Sequence, residues 1–238
     1  MVRWTRANKL KLNVKKCNVI SFHRNRAPII ADYSIDSEPL QRLPIVRDLG
    51  VRLDTKMTFI DHIDGLIAKA MSMLGFIKRI CGNMDDPYTK KSIYCSLVRS
   101  ILEYNGVVWS PAFAIHSKRI ESIQRNFTRF ALRTLPWRDP NTLPPYKERC
   151  LLINIESLEM RRQNAAALFV FDLLSNRIDS PQLLSRLNFN VPQRSTRHAT
   201  ILIPVYHHSD SGLPPYIVWG ERAGKQDGYH LQYVSCQL

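Results

Sequence analysis

The sequence predicts an α+β fold with its parts segregated along the chain, a small antiparallel β patch followed by a mainly α-helical bundle. Three observations carry that prediction. Between Cys17 and Asp54 apolar and polar residues alternate in short runs, from Phe59 onward they recur at spacings of three and four, and beyond Asn188 periodicity fades. The expected divisions are therefore 1–54, 55–190 and an irregular tail over 191–238.

The first dozen residues read as the end of a helix, with Trp4, Ala7, Leu10 and Lys11 on one face and Asn13 as its stop. An amphipathic helix that begins without a cap is expected to continue a segment upstream. Val19-Ile20-Ser21-Phe22 is a short β-like run, Tyr33-Ser34-Ile35 alternates, and Leu40 and Leu43 flank a further extended piece. From Val46 to Leu53, Leu49, Val51 and Leu53 alternate against Asp48, Gly50 and Arg52. Four such strands in so short a stretch imply an antiparallel patch whose edges need a neighbour.

Helical spacing then takes over. Phe59, Ile63, Leu66, Ile67, Ala70, Met71, Leu74, Ile77 and Cys81 form one broad apolar stripe. Asp85 or Asp86, followed by Pro87, opens a second helix with Ile93, Leu97, Val98, Ile101 and Leu102 inward. Ile120, Ile123, Phe127, Phe130 and Ala131 mark a third, which Pro136 closes. Leu158–Leu174 gives a fourth, with Ala165, Leu168, Phe169 and Leu173 inward, and Pro181 starts a short fifth ending near Leu187. Pro192, Pro204, Pro214 and Pro215 punctuate the tail.

Composition narrows the partner. The 238 residues are 45% hydrophobic, which excludes wholesale disorder, and carry a formal net charge of +14. Such an excess repels itself in a compact state and is usually compensated by a phosphate backbone or an anionic membrane. The apolar runs are broken by charges well short of the roughly 20 residues a spanning helix needs, and no apolar run follows the positive start. Nucleic acid is the expected partner, without a membrane, inside the cell and with the nucleus included. Cys17, Cys81, Cys95, Cys150 and Cys236 form no close pair and read as reduced thiols. The His207-His208 doublet lacks companions at metal-ligand spacing.

Two segments give the chain a likeness. One is Asn8-Lys9-Leu10-Lys11-Leu12-Asn13-Val14-Lys15-Lys16-Cys17 with the strand ending at Phe22; the other is Asp48-Leu49-Gly50-Val51-Arg52-Leu53-Asp54 with Phe59 and His62-Ile63 behind it. Leu102-Glu103-Tyr104, Val108-Trp109-Ser110-Pro111 and Ile120-Glu121-Ser122-Ile123-Gln124-Arg125 follow in order. Together, from about Trp4 to about Asn190, they resemble the reverse transcriptases of non-LTR retrotransposons, the jockey-like elements in particular. Val191–Arg197 and Ile203–His207 still look like that family's post-thumb region, and the run from about Gly220 no longer does.

The resemblance implies that 1–54 is the last part of a palm, and 55–190 a thumb with its connection. It matches Lys16 to the lysine near the incoming nucleotide's phosphates, where a cation can act as a point charge or protonate the leaving pyrophosphate. The plainer alternative is a solvated basic pair, Lys15 and Lys16, beside a strand. Leu49-Gly50 resembles the primer-grip hairpin, where glycine lets backbone approach a nucleic-acid strand; the alternative is a tight turn or bulge with no ligand. A thumb needs a basic face that follows phosphates without reading sequence. Lys118, Arg125, Arg129 and Arg133, spaced at seven, four and four, line one face of the third helix. Three phosphate contacts there would give a salt slope of about −2 to −3. An ordinary solvated face is the alternative.

Templated synthesis uses two metal ions, Mg²⁺ in the parent enzyme, held by carboxylates that the family places upstream of the segment matching Leu12–Cys17. The eleven residues before Leu12 include no Asp or Glu. Asn83-Met84-Asp85-Asp86 imitates the aromatic-x-Asp-Asp signature, but Asn stands at the aromatic position and Pro87 opens a helix, so helix capping is expected. No phosphate loop, nucleophile elbow or metalloprotease motif is present. The expectation is a truncated RNA-directed DNA polymerase remnant with no catalytic residues and no cofactor of its own. It would bind RNA or an RNA–DNA hybrid weakly and without sequence preference, the upstream polymerase segment being its missing companion. The competing readings are a host-adopted helical module that binds a protein, and a decayed open reading frame with no stable product.

Overall fold

The computed structural model describes residues 5, 7–9, 13–23, 31–133, 143–185 and 187, and the backbone of 230–236. Its architecture is α+β. Thr5 and Ala7 are helical; Trp4, Leu10, Lys11 and the helix-closing Pro136 lie outside the described residues, as does 191–229 of the expected tail. The chain forms two compact units, 1–64 with 222–238, and 65–221.

In the first unit a 3-10 turn, Val14–Lys16, leads into β1 (Cys17–His23), whose Cys17, Val19, Ile20 and Ser21 are buried. β2 (Ser34–Ile35) and β3 (Glu38–Pro39) form a hairpin through Asp36 and Ser37, both at positive φ. β4 (Gln41–Arg42) pairs with β1 in parallel, and the Leu43 N–H donates to the Val19 carbonyl at 2.9 Å. On the other side of β1 lies β7 (His230–Cys236), antiparallel along the whole strand from Cys17 opposite Cys236 to His23 opposite His230. The expectation of an irregular tail over 191–238 therefore fails at 230–236. A seven-residue strand with one short neighbour leaves a row of unpaired N–H and C=O groups, and His-Leu-Gln-Tyr-Val-Ser-Cys, rich in β-formers, covers them.

β5 (Ile45–Asp48) and β6 (Val51–Asp54) pair antiparallel around the two-residue turn Leu49-Gly50, with φ of 43° and 85°. A turn with both central residues at positive φ matches the right-handed twist of its strands, and glycine takes the second position without steric cost. The alternation expected to run unbroken through Leu49 is thus interrupted: Val46 and Val51 are buried while Leu49 is 79% exposed. Val46 is out of phase with Leu49, Val51 and Leu53, and that phase change is the trace the turn leaves in the sequence. Asp54 fixes the exit from β6, accepting from the Lys56 N–H at 3.0 Å, the Thr58 N–H at 3.1 Å and the Phe59 N–H at 2.7 Å.

Helix α1 (Ile60–Ile80) begins in the first unit and belongs from Gly65 onward to the second. Ile63, Leu66, Ala70, Leu74, Ile77 and Cys81 make its buried stripe; Met71, expected inward, is exposed one position off that line. α2 (Pro87–Tyr94) starts as expected on Asp86, which accepts from the Tyr88 N–H at 3.2 Å and the Thr89 N–H at 2.7 Å. It runs through a π turn (Cys95–Arg99) into α3 (Ser100–Glu103). The buried line here is Lys90, Tyr94, Val98 and Leu102, and Leu97 faces out. A strict spacing of four drifts around a regular helix of 3.6 residues per turn; the wider π turn takes up that drift.

After α4 (Gly106–Trp109) comes the central helix α5 (Ala114–Leu132), then α6 (Tyr146–Leu152), α7 (Leu158–Leu174) and α8 (Pro181–Leu184). The inward face of α7 runs through Leu158, Arg162 and Leu173, so Ala165 and Leu168 are exposed rather than buried. Arg162 displaces the expected face: its Nη2 donates to Ser117 Oγ at 2.9 Å, a polar anchor at a position that reads as solvent-facing.

Candidate nucleic-acid interface

The candidate residues fall on two surfaces, one in each unit. In the first unit Lys15 and Lys16 are exposed on the 3-10 turn just before β1. Leu49 and Gly50 form the tip of the β5–β6 hairpin, an apolar knuckle whose glycine leaves the backbone uncovered. A hairpin tip of this kind is common to both options, a primer-grip hairpin and a tight turn with no ligand.

In the second unit α5 builds the larger surface, and its sequence explains how. Ile120, Ile123, Phe127, Ala131 and Leu132 are buried, with Phe130 half-buried beneath the Lys90 ammonium, whose Nζ stands 4.8 Å from the ring centroid. Tyr94 stacks on Phe127, which ties α2 to the middle of α5. With that face inward, Lys118, Arg125 and Arg129 point to solvent, as does Arg133 at the helix end. At 100° per residue the four lie within an arc of about 80° and span about 22 Å of helix. None of the four makes an ion pair among the described residues; Arg125 only covers the face of Tyr146, its Cζ 5.1 Å from the centroid.

The one acidic residue of α5, Glu121, is turned inward and consumed there. Its carboxylate accepts from the Tyr146 hydroxyl, the Leu158 N–H at 3.2 Å and the Glu159 N–H at 3.2 Å, so it caps the start of α7. Gln124 extends the network, taking the Tyr94 hydroxyl on Oε1 at 3.2 Å and donating from Nε2 to Tyr146 Oη and the Glu156 carbonyl. Burial, reinforced by the bond to Glu121, pushes the Tyr146 hydroxyl far above the usual phenol range, so it stays a donor. The outward face of α5 is thus left with cations and no carboxylate of its own helix.

Arg149 is the residue that sequence reading missed. It is only 5% exposed, with Nε donating to Thr128 Oγ1 at 3.1 Å and Nη1 to the Pro144 carbonyl at 3.1 Å. Its Cζ lies 5.8 Å from the Tyr146 centroid, so Arg125 and Arg149 share one ring. Burial holds the Arg149 pKa below the ordinary guanidinium value, and Arg129 and then Arg125 act in the same direction. The signal in the sequence is an arginine beside Cys150, in line with Tyr146 and Ile153 at spacings of three and four, where a helix puts its buried residues.

Asp86 starts α2, as helix capping requires. Both Asp86 oxygens accept from the first turn of α2, Oδ2 also from the Thr89 hydroxyl, which is a helix cap and not a paired metal ligand. Among the described residues no group of three or more His, Cys, Asp or Glu is placed to hold a metal ion, and no helix is long and apolar enough to cross a membrane. Comparison with protein-family models, with curated proteins and with solved structures finds no match to this chain.

Proposed function

We propose that the chain is a nucleic-acid-binding scaffold derived from a reverse transcriptase of the non-LTR type, with RNA or an RNA–DNA hybrid as its ligand and no polymerase chemistry of its own. The observation that carries this reading is the outward face of α5, where Lys118, Arg125, Arg129 and Arg133 stand without a carboxylate partner among the described residues. Cations about 10 Å and then about 6 Å apart along a helix can meet a phosphate backbone and have no means of reading bases. The ordered likeness from Asn8 to Arg125 supports the origin, and the use of Asp86 as a helix cap supports reading Asp85-Asp86 as structural. The test is fluorescence anisotropy of a labelled RNA–DNA hybrid with the full chain. Arg125/Arg129/Arg133→Glu should weaken binding by more than about tenfold with the melting transition retained, and unchanged binding would remove the reading.

A second reading, a helical module that binds a protein, is favoured by α7. Leu168 (61% exposed), Phe171 and Leu174 form an exposed apolar line at spacings of three. A protein seated there would bind with little salt dependence, and the α5 charge reversal would leave its affinity intact.

A further inference from the structure

The buried Arg149 does something that the exposed stripe alone does not. A guanidinium has five N–H donors, and Arg149 commits Nε and Nη1 to two neutral oxygens, Thr128 Oγ1 and the Pro144 carbonyl. No carboxylate among the described residues pairs with it. Glu121, which shares Tyr146 with this cluster, spends its oxygens on the Tyr146 hydroxyl and the start of α7. Two further cations stand near Arg149: Arg125, which shares the Tyr146 ring with it, and Arg129, next in sequence to the Thr128 that holds it and lowering its pKa through their like charge. Three like charges near one another, the innermost fixed by hydrogen bonds and shielded from water, make a preorganised positive field with no anion paired to Arg149 among the described residues.

We propose that Arg125, Arg129 and Arg149 form a discrete seat for one phosphate group, in which Arg125 and Arg129 contact its oxygens and Arg149 is the fixed positioning charge behind them. Arginine suits the task because its planar fork meets two oxyanion oxygens at once, and a guanidinium clamped on Thr128 and Pro144 loses no further freedom on binding. The seat is defined for a phosphate group whatever carries it; that a nucleic-acid backbone supplies the group rests on the function proposed above. One nucleotide phosphate would then be held in register at this end of α5, while the rest of the stripe follows the strand loosely.

The test titrates inorganic phosphate alone into the full chain at constant ionic strength, by calorimetry, and repeats it with Arg129→Gln, Arg149→Met and the remote control Lys69→Gln. Saturable binding to the wild type is expected, weakened by about tenfold in Arg129→Gln and Arg149→Met and unchanged in Lys69→Gln. Arg129 is exposed, so its variant keeps the test decisive if Arg149→Met fails to fold. Absence of saturable binding, or equal affinity in wild type and Arg129→Gln, overturns the seat. Anisotropy with the RNA–DNA hybrid separates the two proposals. Phosphate binding lost in Arg129→Gln supports the seat even where the hybrid does not bind, and hybrid binding with unaltered phosphate affinity in the variants removes the seat alone.

Discussion

The ring of Tyr94 lies flat on the ring of Phe127, centroids 4.0 Å apart and planes 8° from parallel. Both side chains are fully buried, and the contact holds the middle of α5 against α2. Because α5 carries its cations opposite this contact, the stacking sets which residues meet solvent. Phe127→Ala removes the stacked ring and opens a cavity, at a cost of about 3–5 kcal/mol. Tyr94→Phe keeps the ring and loses only the bond to Gln124, about 1 kcal/mol. Urea unfolding of the two variants should preserve that order; equal losses would mean the stacking does not organise the unit.

Glu121 binds α5 to the start of α7 through three donors, and a glutamine has only one acceptor oxygen to offer them. Glu121→Gln turns an amide N–H₂ toward a hydroxyl or a backbone N–H, and should destabilise by about 1–3 kcal/mol. The urea midpoint measures it. A midpoint equal to that of the wild type would show that the carboxylate is not the cap of α7.

His62 gives the first unit a pH dependence. Its Nδ1 accepts the Arg52 N–H at 3.4 Å, and burial, then Arg52, then Arg47, lower its pKa from the ordinary 6.5. The folded state therefore binds a proton less readily than the unfolded chain. Stability should be fully present above about 6.5 and fall as pH drops below that value, until the folded-state pKa is reached. His62→Asn, which keeps an acceptor for Arg52, should flatten the profile between pH 7 and 5. A slope identical in both proteins would assign it to other groups.

The register places Cys17 directly opposite Cys236. Directly opposed residues of an antiparallel pair have Cα atoms about 4.5–5.5 Å apart, within the range a disulfide spans. Two-electron oxidation by diamide should therefore join these two cysteines with loss of two hydrogens, and peptide mapping would find the link. Oxidised peptides joining Cys236 to other cysteines, with none to Cys17, would contradict the pairing of β7 with β1.

Much of the fold was legible because its signals are local. The Asp86-Pro87 start of α2, the stripe of α1 and the span of α7 follow from caps and from spacings of three and four. What escaped depends on distant parts of the chain or on buried charge. The partner of β1 lies at 230–236, more than two hundred residues away, and no local pattern assigns a neighbour. The Leu49-Gly50 turn came from resemblance rather than from the pattern, because the alternation around it reads as one strand. Lys90, Arg149 and Arg162 are inside, where charge reads as surface, and they displaced the expected inward faces of α2 and α7 and concealed the cluster around Tyr146. The α5 stripe was readable in full, since its four positions need only the period of a helix.

The central claim is that the cations of α5 meet phosphates. The measurement is the affinity of the full chain for an RNA–DNA hybrid across a series of salt concentrations, for the wild type and for Arg125/Arg129/Arg133→Gln. The plot of log K against log salt should have a slope of at least about −2 to −3 for the wild type, shallower by about 0.7–0.9 for each cation removed. A wild-type slope near zero, or one the triple variant leaves unchanged, would contradict it.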